Sequence, residues 1–434
     1  MTADADDVTP GTPPGRPGGP ARQAGPPPPP AGFTVRTVPV ADPGDLLARL
    51  PRSPALAWVR RGSGLVGWGE FARITLSAGD DRFTAAEKWL RDLFDGAKTD
   101  DQVGRPGSGP VAFGSFTFDP ASEGSVLIVP RTIIGRDHAG HAWLTTVAGG
   151  TDPAPGDGHP VAPGTLRWHD GSLSAPQWEQ AVASAVGRIS SGHLRKVVLA
   201  RDIFATAPGP IDPRIVLRRL AGRYPDCFTF ACGNLVGATP ELLVRRQGRE
   251  VSALVLAGTA PRGGRPGEDA ELGAGLLASV KNTEEHAYAV ASVRDALAPL
   301  CADLDVPAQP SLLKLPNLHH LGTPVRGTLA ADRSALALAG ALHPTAAVCG
   351  TPTETALELI RELEHMERGR YAGPVGWVDA QGNGEFGIAL RSAELDGRRA
   401  RLFAGCGIVA DSDPPAELAE TEVKFRPMRQ ALEG

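Results

Sequence analysis

Cys406-Gly-Ile-Val-Ala-Asp-Ser-Asp-Pro-Pro-Ala-Glu417-Leu-Ala-Glu420-Thr-Glu-Val-Lys424 is the stretch on which the reading of this 434-residue chain turns. A small-residue turn is expected to lead into a helix bearing two carboxylates three positions apart and a lysine four positions further on. Residues i and i+3 share a helix face, and Lys424 follows Glu420 on that face. Two acids and one base then point into one place. Carboxylates so arranged suit a hard divalent cation, and the lysine suits an anionic substrate beside it. A solvated helix with an i,i+4 ion pair has the same spacing, so spacing alone leaves both readings open.

Just upstream stand Arg391 and the run Leu402-Phe-Ala-Gly405-Cys-Gly407-Ile. Further short runs precede it: Lys196-Val-Val-Leu-Ala-Arg201, Ala238-Thr-Pro-Glu241-Leu-Leu, Leu256-Ala-Gly-Thr259, Glu285-His286, His320-Leu-Gly-Thr-Pro and His343-Pro-Thr-Ala-Ala-Val-Cys-Gly350. Each is weak alone, and together in this order they are specific. The chain resembles the chorismate-utilising enzymes, in which an RxFAGxGIV segment leads into a helix carrying ExxETxxK. The resemblance covers roughly residues 180–430.

The resemblance implies an α+β fold for residues 33–434. One large domain is expected, with two mostly antiparallel β-sheets packed together, helices outside and the site between the sheets. It implies a Mg²⁺ ion held by Glu285, Glu417 and Glu420, with Glu284 an alternative to its neighbour. Arg391 and Lys424 match residues that hold substrate carboxylates. Tyr371 falls where relatives contact the enolpyruvyl group. Gly258, Thr259 and Gly405 fall where backbone N–H groups approach the substrate. His320 is expected near the ring, a satisfied core histidine being the plainer alternative. Lys196 matches a general base that deprotonates water, a role that needs a pKa lowered by burial or nearby cations. Glu241 matches the general acid that protonates the departing C4 oxygen, which needs a raised pKa.

Three positions choose among the family's reactions. Anthranilate synthases carry glutamine where Lys196 stands, and use ammonia. Aminodeoxychorismate synthases place a nucleophilic lysine where this chain has Ala257. Salicylate synthases, which also eliminate pyruvate, usually carry threonine where this chain has Ala347. The expected reaction is therefore an isomerisation of chorismate to isochorismate, serving menaquinone or catechol siderophore synthesis. A salicylate synthase and a non-catalytic chorismate-binding homologue are the alternatives. Cys406 replaces a usual alanine and is expected to touch no assigned role. No amidotransferase subunit is expected, and a monomer is.

Composition is consistent with a cytoplasmic enzyme. A hydrophobic share of 41% is ordinary for a globular chain. A net charge of −5 without a dense Lys/Arg tract argues against nucleic-acid binding. No apolar run is long enough for a membrane span. The start, MTADADDVTPGTPPG, has neither a basic nor an apolar region of a secretory signal. The five cysteines, at 227, 232, 301, 349 and 406, show no CxxC spacing and read as reduced core residues. Cys227 and Cys232 are expected on opposite faces of a strand.

Residues 1–32 are Pro/Gly-rich and read as a disordered spacer, and 151–164 as a mobile loop. Gly62-Ser-Gly64-Leu-Val-Gly67 fits GxGxxG, but a dinucleotide site needs a helix straight after the glycines. The strand-like text that follows predicts a hairpin. From residue 176 helices and strands mix. One long helical region is expected over Gly267–Leu300, and a strand over Glu385–Glu394 that includes Arg391.

Overall fold

The computed structural model describes residues 32–52, 55–150 and 159–434. The expected spacer lies outside them except for Gly32, as does the 151–158 part of the expected loop. The described strands join into one 21-stranded hydrogen-bonded network. It is mostly antiparallel, with Phe33–Val40 running parallel to Ala97–Asp101 and antiparallel to Ala142–Val147. The expected two layers are thus linked by hydrogen bonds. Trp58, Phe113, Phe228, Phe230 and Trp377 meet in a core built almost wholly by strand residues, where the Trp58 and Phe228 rings stack with centroids 4.8 Å apart. A second, larger core lies beneath the helices Arg82–Asp95, Ala175–Ser190, Ala335–Leu342 and Thr353–Leu363. A third lies beneath Pro213–Arg223 and the far half of Pro414–Glu433. Helices cover outward strand faces because their apolar stripes need burial.

The glycine-rich stretch is a hairpin. Arg61 and Gly62, at φ 50° and 75°, turn Leu56–Arg60 into Ser63–Leu76. No helix follows, so the dinucleotide reading fails on geometry. Cys227 and Cys232 do enter different cores. All five cysteines are free, and Cys301 is half-buried where the other four are buried.

Two neighbouring strands carry the site. Lys196–Thr206 runs antiparallel to Arg399–Ile408 in unbroken register, from Arg399↔Thr206 to Ile408↔Val197. Cys406-Gly-Ile is therefore strand, not the expected turn. The turn falls at Val409–Ser412, where the Ser412 N–H donates to the Val409 carbonyl at 3.1 Å. Asp413 then caps the helix Pro414–Glu433, its carboxylate accepting from the Ala416 N–H at 3.1 Å, with Pro414 first in the helix.

Two expectations are corrected near the site. The helical region Gly267–Leu300 is two helices, Pro266–Ala278 and Val280–Leu297. They break at Ser279, which has an extended backbone and whose hydroxyl accepts from the Asn282 N–H. A serine that caps the second helix cannot continue the first. The strand Glu385–Glu394 is also broken. Gly384–Ile388 and Ser392–Asp396 flank a kink in which Arg391 sits at φ 49°. Left-handed backbone is costly for a non-glycine residue and marks a side chain held for a purpose.

Candidate active site

The kink and the two strands meet at a partly open cavity. Its wall includes Glu241, Gly258, Thr259, Glu285, His320, Ala347, Tyr371, Arg391, Gly405 and Lys424. A larger, more open hollow near Glu87, Arg246 and Gly382 gathers none of the motif residues. Lys196, Glu417 and Glu420 do not line the cavity themselves. Lys196 is fully buried just behind the wall at Gly407. A Cβ at Gly407 would collide with the Glu285 carboxylate and the Lys196 side chain. Glycine is needed there because the Glu285 and Lys196 side chains occupy the space. Gly258, at φ 76°, is the other position where the backbone demands glycine.

Cationic side chains border the cavity with carboxylates beside them. The Lys196 Nζ lies 3.2 Å from Glu285 Oε1, yet it has no aligned hydrogen bond. The Arg391 Nη2 donates to His320 Nε2 at 3.2 Å. Arginine can only donate, so Nε2 accepts and the proton sits on Nδ1. Nδ1 then faces the Thr259 hydroxyl at 3.2 Å and the Gly258 carbonyl at 3.3 Å. Burial holds His320 well below the usual histidine pKa, with Arg391 and Lys424 pushing the same way. His320 is thus both a neutral core histidine and a cavity wall. Burial also lowers the Arg391 pKa. Lys424 donates to the Gly405 carbonyl at 2.9 Å and pairs with Glu420 at 2.6 Å. Burial works against its charge, and Glu420 outweighs it, so its pKa is raised. Tyr371 is buried, its ring stacked on Phe403 at 5.0 Å, and burial raises its pKa.

Glu241 differs from the other carboxylates. Burial pushes it up to about 8, against the pull of Arg391 and Lys196. It is therefore a neutral carboxylic acid near pH 7, able to give a proton. The other acids each face a lysine: Glu285 Lys196, Glu420 Lys424, and Glu417 Lys281, whose Nζ is 2.8 Å from Oε1. Glu284 is exposed and accepts from the Tyr288 hydroxyl at 3.0 Å, so Glu285 is the cavity carboxylate of that pair. Among the described residues no three His, Cys, Asp or Glu side chains close into a ready metal cage. The donors present are hard carboxylate oxygens beside a cavity. They fit a cation that keeps waters and takes few protein ligands, as magnesium does.

Three residues escaped the motif reading. Arg368 lines the cavity and donates to the carbonyls of Val198 at 2.8 Å and Val348 at 2.9 Å. It pairs with buried Glu364 at 2.9 Å, and Glu364 accepts from the Ala200 N–H at 2.7 Å. This pair ties the Lys196 strand to the loop bearing Ala347. Lys281 carried a signal, since Glu285 follows it by one helical turn. Cys406, expected to touch no site residue, lines the cavity, and its thiol faces the Glu417 carbonyl at 3.7 Å.

Residues 162–433 match the family described as chorismate binding enzyme. Isochorismate synthase MenF of Bacillus subtilis is 38% identical over 356 residues, 75% of each chain. The salicylate biosynthesis isochorismate synthase of Pseudomonas aeruginosa is 47% identical over 260 residues, 59% of this chain and 54% of that protein. The structure of MenF, the menaquinone-specific isochorismate synthase from Escherichia coli, superposes with a TM-score of 0.76 at 26% identity, over 93% of this chain and 95% of that one. A cavity bordered by cationic side chains and a neutral acid, on a strand network of this topology, agrees with those matches: the chain belongs to the chorismate-binding enzyme family. No helix of the described residues is long and apolar enough to cross a membrane.

Proposed function

We propose that this chain converts chorismate into isochorismate, adding water at C2 while the ring double bond shifts and the C4 hydroxyl leaves. The observation that carries the reading is the meeting at one cavity of buried Glu241 with Arg391 and Lys424, beside buried Lys196 just behind the wall, with burial pushing the Glu241 pKa up to about 8. Arg391 and Lys424 supply the positive charge that a dianion needs, and a buried guanidinium grips a carboxylate in two-pronged fashion. Lys196, acting as the neutral amine, takes a proton from the attacking water. Glu241 gives one to the departing oxygen, so one water enters and one leaves. Proton exchange with solvent resets both groups. His320, locked by Arg391 and Gly258, shapes the ring pocket and carries no proton in the reaction. Tyr371 faces the enolpyruvyl side, while Thr259 and the Gly258 and Gly405 backbones border the ring.

Glu285, Glu417 and Glu420 are the carboxylates that would hold Mg²⁺, and the ion would neutralise the substrate's ring carboxylate. Water rather than ammonia as nucleophile accords with a single cytoplasmic chain that needs no amidotransferase partner. The relatives' names place isochorismate synthases in both menaquinone and salicylate synthesis, so either route fits this chain. The test is incubation of the purified chain with chorismate and Mg²⁺, with products resolved by chromatography. Isochorismate without matching salicylate and pyruvate is expected. Failure to form isochorismate overturns the assignment.

A further inference from the structure

Lys281 has no part in the reaction as drawn, yet it occupies the place where a metal's charge is wanted. It lies in the first turn of Val280–Leu297, two residues past the break at Ser279. Its Nζ contacts Glu417 at 2.8 Å. Glu285 follows it by four positions on the same helix face, and Glu420 follows Glu417 by three on the opposing helix. The burial of the two partners is unequal: the Glu417 side chain is 4% exposed and that of Lys281 34%. A buried carboxylate stripped of its counter-charge is strongly unfavourable, whereas a half-exposed lysine on a flexible stem has an open path to water. The Lys281 ammonium donates to Glu417 Oε1 at 2.8 Å, and Glu285 and Glu420 stand close enough to act on its charge.

We propose that Lys281 is a resident counter-ion, neutralising Glu417 until a divalent cation arrives and withdrawing toward solvent when it does. The proposal rests on the divalent-cation reading above. A monovalent and a divalent cation cannot share one carboxylate oxygen at contact distance without strong repulsion. The lysine therefore keeps the empty arrangement ordered and weakens metal binding by the same interaction, as linkage requires.

Lys281→Met retains the stem and removes the charge. Mg²⁺ is titrated by calorimetry into wild type and variant, each with chorismate and product at equilibrium. The variant should bind Mg²⁺ about tenfold more tightly, a difference of about 1.4 kcal/mol. Its metal-free melting temperature should fall, and its rise on adding Mg²⁺ should exceed that of wild type. A second measurement needs no variant. Acetylation of wild-type Lys281 by acetic anhydride, followed by mass spectrometry, should quicken severalfold when Mg²⁺ is added. An unchanged or weaker Kd in Lys281→Met, or unchanged Lys281 reactivity in a wild type that visibly binds Mg²⁺, overturns the counter-ion role and leaves the metal reading standing. If wild type itself takes up no Mg²⁺, the metal reading falls and the counter-ion role falls with it. Should Lys281→Met not fold, the acetylation result decides alone.

Discussion

In the proposed reaction Lys196 and Glu241 divide the proton work, and each makes a separate prediction. Lys196→Ala should lower kcat by roughly 10²–10⁴, the usual worth of a positioned acid–base group. Wild-type turnover in a folded variant would remove Lys196 from the mechanism. Glu241 works only while protonated, and burial lifts its pKa from 4.5 to about 8. The kcat/KM profile should therefore fall as pH rises through about 8. Glu241→Gln should be slow and should lack that alkaline limb. The same group makes a smaller contribution to pH-dependent stability. Below 4.5 both folded and unfolded chains hold the proton, and between 4.5 and about 8 the unfolded chain releases it first, so this contribution is lost as pH rises across that window. Ala347, at the cavity wall, stands where relatives that eliminate pyruvate carry threonine. Ala347→Thr should lower isochorismate release and raise salicylate and pyruvate. An unchanged product ratio in an active variant would show that this side chain does not set the outcome.

At the scale of elements, the C-terminal helix and the buried Glu364–Arg368 pair bear different loads. Glu417→Gln and Glu420→Gln should each weaken Mg²⁺ binding by at least the roughly 10–100-fold that even outer partners of a metal are worth. Full activity of the wild type in EDTA would make the cluster structural instead. Glu364→Gln leaves Arg368 charged and buried without its partner, a loss of about 3–5 kcal/mol by the precedent of broken buried pairs. It should also slow turnover, because Arg368 holds the Val198 carbonyl two residues from Lys196. A melting temperature equal to wild type would deny the pair that role. The helix Pro414–Glu433 was readable from the spacing of Glu417, Glu420 and Lys424, which is a local signal. The break at Ser279 and the kink at Arg391 were not. Both depend on what the flanking segments pack against, and the strand-like text of Gly387–Ser392 gives no hint that Arg391 must turn inward.

For the molecule as a whole, the family resemblance implied the sheet-rich fold, and the motifs located most of the residues that line the cavity. The joining of the layers into one strand network could not be read, because edge pairing between distant segments such as Phe228–Cys232 and Leu56–Arg60 leaves no periodic trace. Nor could the contact of Arg368 with the Val198 carbonyl or that of Lys281 with Glu417, since each reaches a segment far along the chain. Removing residues 1–31 should leave melting temperature and turnover near those of the full chain, because that text is poor in apolar residues that could pack. A large fall in either would show that it docks on the body.

The unbroken ladder between Lys196–Thr206 and Arg399–Ile408 has a consequence for time scales. Its central amides are held by the facing strand and by buried side chains such as Glu364, which takes the Ala200 N–H, so their deuterium uptake should require global opening of the domain. The first turn of Val280–Leu297, set on a serine break and half open to water, should exchange through local fraying many orders of magnitude sooner. The floor that aims the water-activating lysine and the latch that answers the cation would then keep separate clocks, and the enzyme could adjust its charge without disturbing its aim.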